Sequence, residues 1–198
     1  MEKIKVLSID IGIINLGYVY CEIGDDLNVI ECNRVDITHM RHNKTKHCDC
    51  KLHHDFCIPD YLDHFIQEHQ NLFDESDVIL VERQPIMGLQ NLQDFFFIRF
   101  RKKIKLISPN AVHKFFKMTK CDYELRKIES VNLTMQYISQ FLTFQSNERK
   151  HDISDAMLMI LYYKLTKKVK VPVVPPIKKE LNFNMDFEQF RYSFLTKN

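Results

Sequence analysis

The chain has 198 residues, 45% of them hydrophobic and 27% charged, with a formal net charge of +2. That composition supports one packed domain with a small appendage and excludes a disordered polyelectrolyte. The near-neutral total says little about partners, and no stretch approaches the roughly 18 consecutive apolar residues that a membrane span requires.

Residues 3 to 9, Lys-Ile-Lys-Val-Leu-Ser-Ile, start alternating and become apolar, which predicts a buried strand ending at Asp10. Gly12 and Gly17 flank a turn, residues 16 to 23 read as a second strand, and Gly24-Asp25-Asp26 turns the chain into a third over residues 27 to 37. These three form an antiparallel meander. Residues 38 to 57 are polar and rich in His, Lys and Cys, as a long excursion would be.

Pro59 suits a helix start, and Tyr61, Leu62, Phe65, Ile66, His69 and Leu72 then recur at helical spacing. Val78-Ile79-Leu80-Val81 is a continuous apolar run ending in Glu82, as expected of a strand covered on both faces. A helix with Phe95, Phe96 and Phe97 is predicted over 90 to 103, and a short strand over 104 to 107. Further helices are predicted over 109 to 117, 122 to 143 and 150 to 168.

The element order is that of an α/β domain over residues 1–168, with a Cys/His-rich insertion at about 38–57. Pro172, Pro175 and Pro176 mark a linker into a tail over 169–198, where Phe187, Phe190 and Phe194 share a helix face.

Charge is distributed unevenly. Between Arg99 and Lys127 ten basic residues stand against two acidic ones, Asp122 and Glu124. This asymmetry points to a polyanion on one face, against the alternative of solvated helix surfaces. No signal-peptide pattern is visible, because Lys3, Lys5 and Asp10 interrupt the apolar N-terminal run. We therefore expect an intracellular, reducing compartment in which the six cysteines need not pair.

Four carboxylates carry the chemistry. Asp10 and Glu82 each end a buried strand, and parallel neighbouring strands would bring both to one edge of the sheet. Asp152 and Asp155 lie three apart on a helix and share a face; an acid there also suits the positive end of the helix. Gathering four like charges is costly unless a cation neutralises them. Oxygen-only ligands favour Mg2+ or Mn2+. Two such ions, roughly 3.5 to 4 Å apart, would clamp an in-line phosphodiester displacement. A second cluster, Cys48, Cys50, His53 or His54, and Cys57, offers four soft ligands for a structural zinc, against the alternative of reduced loop thiols and histidines.

Several segments resemble RuvC-like Holliday junction resolvases. Ser-Ile-Asp10-Ile-Gly12-Ile-Ile-Asn-Leu-Gly17-Tyr is similar to their first strand motif. Val-Ile-Leu-Val-Glu82-Arg83-Gln84-Pro85 is similar to the second, and most like the resolvases of poxviruses and other large DNA viruses. Ile107-Ser-Pro109-Asn-Ala-Val-His-Lys114 resembles the segment after the fifth strand, and Lys150-His151-Asp152-Ile-Ser-Asp155-Ala156 the closing helix.

The resemblance covers residues 3 to 168. It implies an RNase H-like fold with a mixed five-stranded sheet flanked by helices, a homodimer, and Mg2+-dependent symmetric nicking of four-way DNA junctions. Asp10, Glu82, Asp152 and Asp155 become its metal ligands, with Mn2+ able to substitute. Lys114 and Lys127, with Arg126 competing for the latter's place, would contact phosphates or stabilise transition-state charge, against the alternative of ordinary surface lysines; Arg101, Lys102 and Lys103 are assigned to DNA binding. Arg83 meets either a phosphate or a neighbouring carboxylate, and His151 serves either in proton transfer or as a surface histidine. If the source is viral, the compartment is host cytoplasm or nucleus where viral DNA replicates. The excursion at 38 to 57 and the tail fall outside this guidance.

Three rivals are weighed. An actin-like ATPase needs a second glycine-rich phosphate loop, yet the four glycines stand at 12, 17, 24 and 88; no nucleotide cofactor is expected. An RNA–DNA hybrid ribonuclease shares the motif order. A non-catalytic junction-binding protein would not need all four acids.

Overall fold

Strands β1 (Ile4–Asp10), β2 (Leu16–Ile23) and β3 (Leu27–Val35) form the expected antiparallel meander. Helices α1 (Ile58–Glu68) and α2 (Gln70–Glu75) lead into β4 (Val78–Glu82), and α3 (Gln90–Arg99) leads into β5 (Ile104–Ile107). Then come α4 (Pro109–Phe115), α5 (Tyr123–Ile138), α6 (Leu142–Gln145) and α7 (Lys150–Thr166). The computed structural model describes residues 3–38 and 57–167. The cysteine-rich segment and the tail lie outside those residues, apart from Cys57.

The sheet order is β3-β2-β1-β4-β5. β1 pairs antiparallel with β2 and parallel with β4, and β4 pairs parallel with β5. A strand so placed has both faces covered, which explains the apolar runs in β1 and β4. Its side chains alternate between two cores. Val6, Val19, Cys21 and Leu80 pack with α7, α6 and the flank of α4. Leu7, Ile9, Ile79 and Val81 pack with α1, α2 and α3 on the opposite face. Each such fully buried aliphatic side chain contributes about 2 kcal/mol.

Helix α7 differs from an ordinary surface helix. From Ala156 to Leu161 every residue is buried, because α7 lies between the sheet and α5. A helix apolar on all sides belongs in such a place. Among the described residues, no helix is long and apolar enough to cross a membrane.

Three predicted helices are shorter than their periodicity. The segment from Pro59 breaks at His69, where the imidazole packs on Phe65 and Tyr18 at centroid distances of 4.6 and 5.3 Å and its Nδ1 lies 3.0 Å from the Phe65 carbonyl oxygen. The helix from residue 90 ends at Arg99, because Phe100 turns out of helical geometry (φ −116°) and stacks on Phe73 at 4.8 Å. The segment from 122 divides into α5 and α6, with Phe141 extended between them and Phe144 buried. In each case tertiary packing of an aromatic ring accompanies the break in an otherwise continuous helical pattern.

Candidate active site

Parallel pairing aligns Ile9 with Val81, so the next residues, Asp10 and Glu82, leave the sheet side by side at its carboxyl edge. Helix α7 delivers Asp152 and Asp155 to the same place. All four line one cavity of about 350 Å³, with His113 of α4, Tyr123, Arg126, Lys127 and Ser130 of α5, and His151 on the walls.

The close seating of α7 depends on Gly17. A Cβ built there would lie 2.1 Å from the Asp152 carbonyl oxygen and 2.5 Å from its carbon. No described glycine has a positive φ. Gly17 is therefore needed for close backbone approach, not for an unusual turn.

The electrostatics are those of crowded acids. Burial holds the Asp10 carboxyl well above its ordinary range, reinforced by the charges of Glu82 and Asp155. Burial also pushes Asp155 up to about 7, with the charges of Glu82 and Asp152 adding to the rise. The Ser130 hydroxyl, donating to Asp155 Oδ1 at 2.7 Å, opposes that shift. Gln84 Nε2 donates to Glu82 Oε2 at 2.7 Å, and the Gln84 backbone N–H donates to Gln93 Oε1 at 2.9 Å, which ties Glu82 to α3. Arg149 donates to both oxygens of Asp152, from Nε at 2.9 Å and Nη2 at 3.2 Å.

The donor set is therefore oxygen-rich, anionic and largely desolvated, which suits a hard divalent cation. As the side chains stand, no three His, Cys, Asp or Glu groups among the described residues converge closely enough to hold one. Arg149, Ser130 and Gln84 occupy oxygens on three of the four acids. Ser130 and Gln84 each bond one oxygen of their acid, whereas Arg149 bonds both oxygens of Asp152.

The expected basic residues divide into two sets. Arg126 and Lys127 line the cavity. Lys127 Nζ lies 3.0 Å from Glu124 Oε1 and 4.0 Å from the Tyr123 ring centroid. Arg101, Lys102 and Lys103 precede β5, which runs parallel to β4, so they lie at the opposite edge of the sheet from Glu82. A four-residue strand rising about 3.3 Å per residue separates that edge from the site by more than 10 Å. Lys103 Nζ also donates to the Phe73 and Asp74 carbonyls at 2.5 and 3.1 Å.

Strand direction thus separates Arg101, Lys102 and Lys103 from the carboxylate cavity. Lys114 is exposed and does not line the cavity; its neighbour His113 does. Arg83 is exposed, while its backbone N–H donates to the Ile107 carbonyl at 2.7 Å. His151 lines the cavity and is not an ordinary surface histidine; burial is the main cause of its lowered pKa.

Sequence reasoning missed Arg149, Ser130, Gln84, Gln93 and His113. Gln84 stood inside the Glu-Arg-Gln-Pro motif and Ser130 eight residues past Asp122, but only the folded arrangement shows what each touches. Burial and the Arg126 charge hold His113 below the ordinary imidazole range. Of the expected zinc ligands, Cys48, Cys50, His53 and His54 lie outside the described residues, and Cys57 is exposed at the start of α1.

A family model described as Poxvirus A22 protein matches residues 4–167. No curated protein matches the chain. Among solved structures, the fowlpox virus resolvase in complex with substrate Holliday junction DNA aligns at 17% identity. That alignment covers 83% of this chain and 99% of that one, with a TM-score of 0.60. Thermus thermophilus RuvC aligns at 11% identity over 82% of this chain and 96% of that one, with a TM-score of 0.51. At these identities the likeness establishes the fold, which is RNase H-like.

Proposed function

We propose that this chain, which belongs to the Poxvirus A22 protein family, is a structure-specific endodeoxyribonuclease that resolves four-way DNA junctions. One observation carries the reading: four carboxylates from β1, β4 and α7 meet in a single cavity whose α5 wall presents Arg126 and Lys127. The fowlpox virus resolvase of the same fold was solved with Holliday junction DNA, which supports that substrate class here. The role is in DNA recombination or viral genome concatemer processing, in a reducing compartment where such DNA replicates.

Mg2+, with Mn2+ able to replace it, is the cofactor we assign to Asp10, Glu82, Asp152 and Asp155. When bound, it supplies Lewis acidity and lowers the pKa of water at neutral pH. The chain's own residues bind and orient. Arg126 and Lys127 attract the phosphodiester and offset its growing negative charge. The half-buried His113 of α4 lines the same cavity as a hydrogen-bonding group. Ser130 and Gln84 fix the carboxylates before substrate arrives.

Two matched cuts across a fourfold junction suit two sites related by a twofold axis, so the working unit in this reading is a homodimer. The exposed Phe97 and Ile98 of α3 support an apolar contact there; the apolar tail is the other surface available. For the cysteine-rich segment we retain a structural zinc held by Cys48, Cys50, His53 or His54, and Cys57. The purified full chain should then contain zinc that survives dialysis and is lost in the Cys48→Ser, Cys57→Ser double variant. Metal-free wild type would leave reduced thiols.

The two basic sets should behave differently. Lys127→Ala should weaken junction binding and cleavage. Lys103→Ala should cost about 1 kcal/mol of stability through its lost carbonyl contacts and leave junction affinity unchanged. Melting curves and fluorescence-anisotropy titrations check both. A larger affinity loss in Lys103→Ala than in Lys127→Ala would put the DNA on the opposite edge of the sheet.

The function is tested by substrate competition. A labelled four-way junction, a linear duplex and an RNA–DNA hybrid are offered together with Mg2+. Preferential junction cleavage is expected; hybrid cleavage without junction cleavage would instead make the chain a hybrid ribonuclease.

A further inference from the structure

Asp152 differs from the other three acids in what holds it. Its side chain is only 8% exposed, and a protein cation bonds both of its oxygens. Asp155 and Glu82 are held instead by neutral donors, Ser130 and Gln84. The Arg149 guanidinium also lies 3.1 Å from His151 Nε2, which itself stands 3.3 Å from Asp152 Oδ1. The arginine is anchored at the start of α7, where its backbone N–H donates to Asn147 Oδ1 at 3.0 Å. Its side chain remains 41% exposed, which gives it room to leave.

A planar guanidinium on both oxygens of a carboxylate is a strong, directional pairing. It compensates a buried charge that would otherwise be costly. It also takes up the lone pairs that a divalent ion would need. Two cations converging on one carboxylate repel each other, so each weakens the other's hold on it.

We propose that Arg149 is a built-in counter-ion of the site: it neutralises Asp152, competes with the divalent ion for that carboxylate, and swings away when the ion binds. Arg149 is thus a positioning residue that sets how tightly the site takes its metal. This inference rests on the divalent-ion reading of the four acids.

The test uses the full chain and Mn2+, titrated by calorimetry without DNA. Arg149→Gln removes the competing charge. It should lower the melting temperature of the ion-free protein, because Asp152 loses its partner. It should also tighten Mn2+ binding about tenfold, from the loss of one charge-assisted pairing, and the stabilisation by a fixed Mn2+ concentration should grow accordingly. Arg149→Lys keeps a charge but not the fork and should fall between the two; it carries the test if the glutamine variant does not fold.

Unchanged or weaker Mn2+ binding in a folded Arg149 variant, with wild-type binding intact, would overturn the counter-ion role. If wild type binds no Mn2+, and Asp152→Asn changes nothing, the divalent-ion reading itself is wrong. The two failures are therefore distinguishable.

Discussion

Asp10→Asn is expected to abolish cleavage and at the same time raise the melting temperature of the ion-free protein. The carboxyl of Asp10 is desolvated and faces the charges of Glu82, Asp155 and Asp152. An amide of the same shape removes that repulsion and also removes a ligand. Each kcal/mol of relief corresponds to a rise of about 2–4 °C for a domain of this size. Cleavage should fall by at least about a thousandfold, the scale on which single groups acting on transition-state charge are felt.

The pH dependence has a definite sign. A carboxyl whose folded pKa is raised binds its proton more tightly in the native state than in the unfolded one. Its stabilising contribution is fully present below the unfolded pKa, near 4, and is lost as pH rises through the folded value. For Asp155 the folded value is about 7, and Asp10 shifts in the same direction. The ion-free wild type should therefore lose stability between about pH 4 and about pH 7. The Lys5–Glu75 pair works oppositely, since Glu75 is lowered by its hydrogen bond to Lys5. The informative quantity is thus the difference between wild type and Asp10→Asn, which should widen with pH across that window. A variant that melts at or below wild type at pH 7 would contradict the crowded-acid account.

Gly17→Ala should also damage activity, for a mechanical reason. The added methyl would sit 2.1 Å from the Asp152 carbonyl oxygen, and backbone cannot move aside as a flexible side chain can. Helix α7 must lift from β2, which costs about 3 kcal/mol as overpacking and carries Asp152 and Asp155 with it. A displacement of about 1 Å is enough to lower the rate roughly a hundredfold. Gly24→Ala is the control, since its added methyl meets only the Lys3 side chain at 3.2 Å. Melting curves and cleavage rates for both variants check this; equal behaviour of the two would remove the close-approach argument.

Much of the site was legible because buried parallel strands leave a strong trace. β1 and β4 read as apolar runs that stop on Asp10 and Glu82, and α7 as a continuous apolar helix starting at its acids. What the sequence hid depends on direction and distance in space. The basic residues from Arg99 to Lys127 form one block along the chain, yet β5 carries the chain from one edge of the sheet to the other within it. Arg101 and Lys102 thus part from Arg126 and Lys127. Similarly, Arg149, Ser130 and Gln84 are ordinary polar residues in the sequence. Their meaning comes from the carboxylate each one holds. His69 and Phe100 interrupted helices whose periodicity ran on, because ring packing fixed their positions more strongly than helical propensity did.

The most direct measurement is cleavage of a synthetic four-way junction, labelled on each strand in turn, with Mg2+ and with wild type, Asp10→Asn and Glu82→Gln side by side. Paired symmetric nicks in two opposing strands by wild type, lost in both variants while binding persists, is the predicted result. Binding without any nick by wild type, or nicks undiminished in the two variants, would contradict the assignment of these carboxylates to junction resolution.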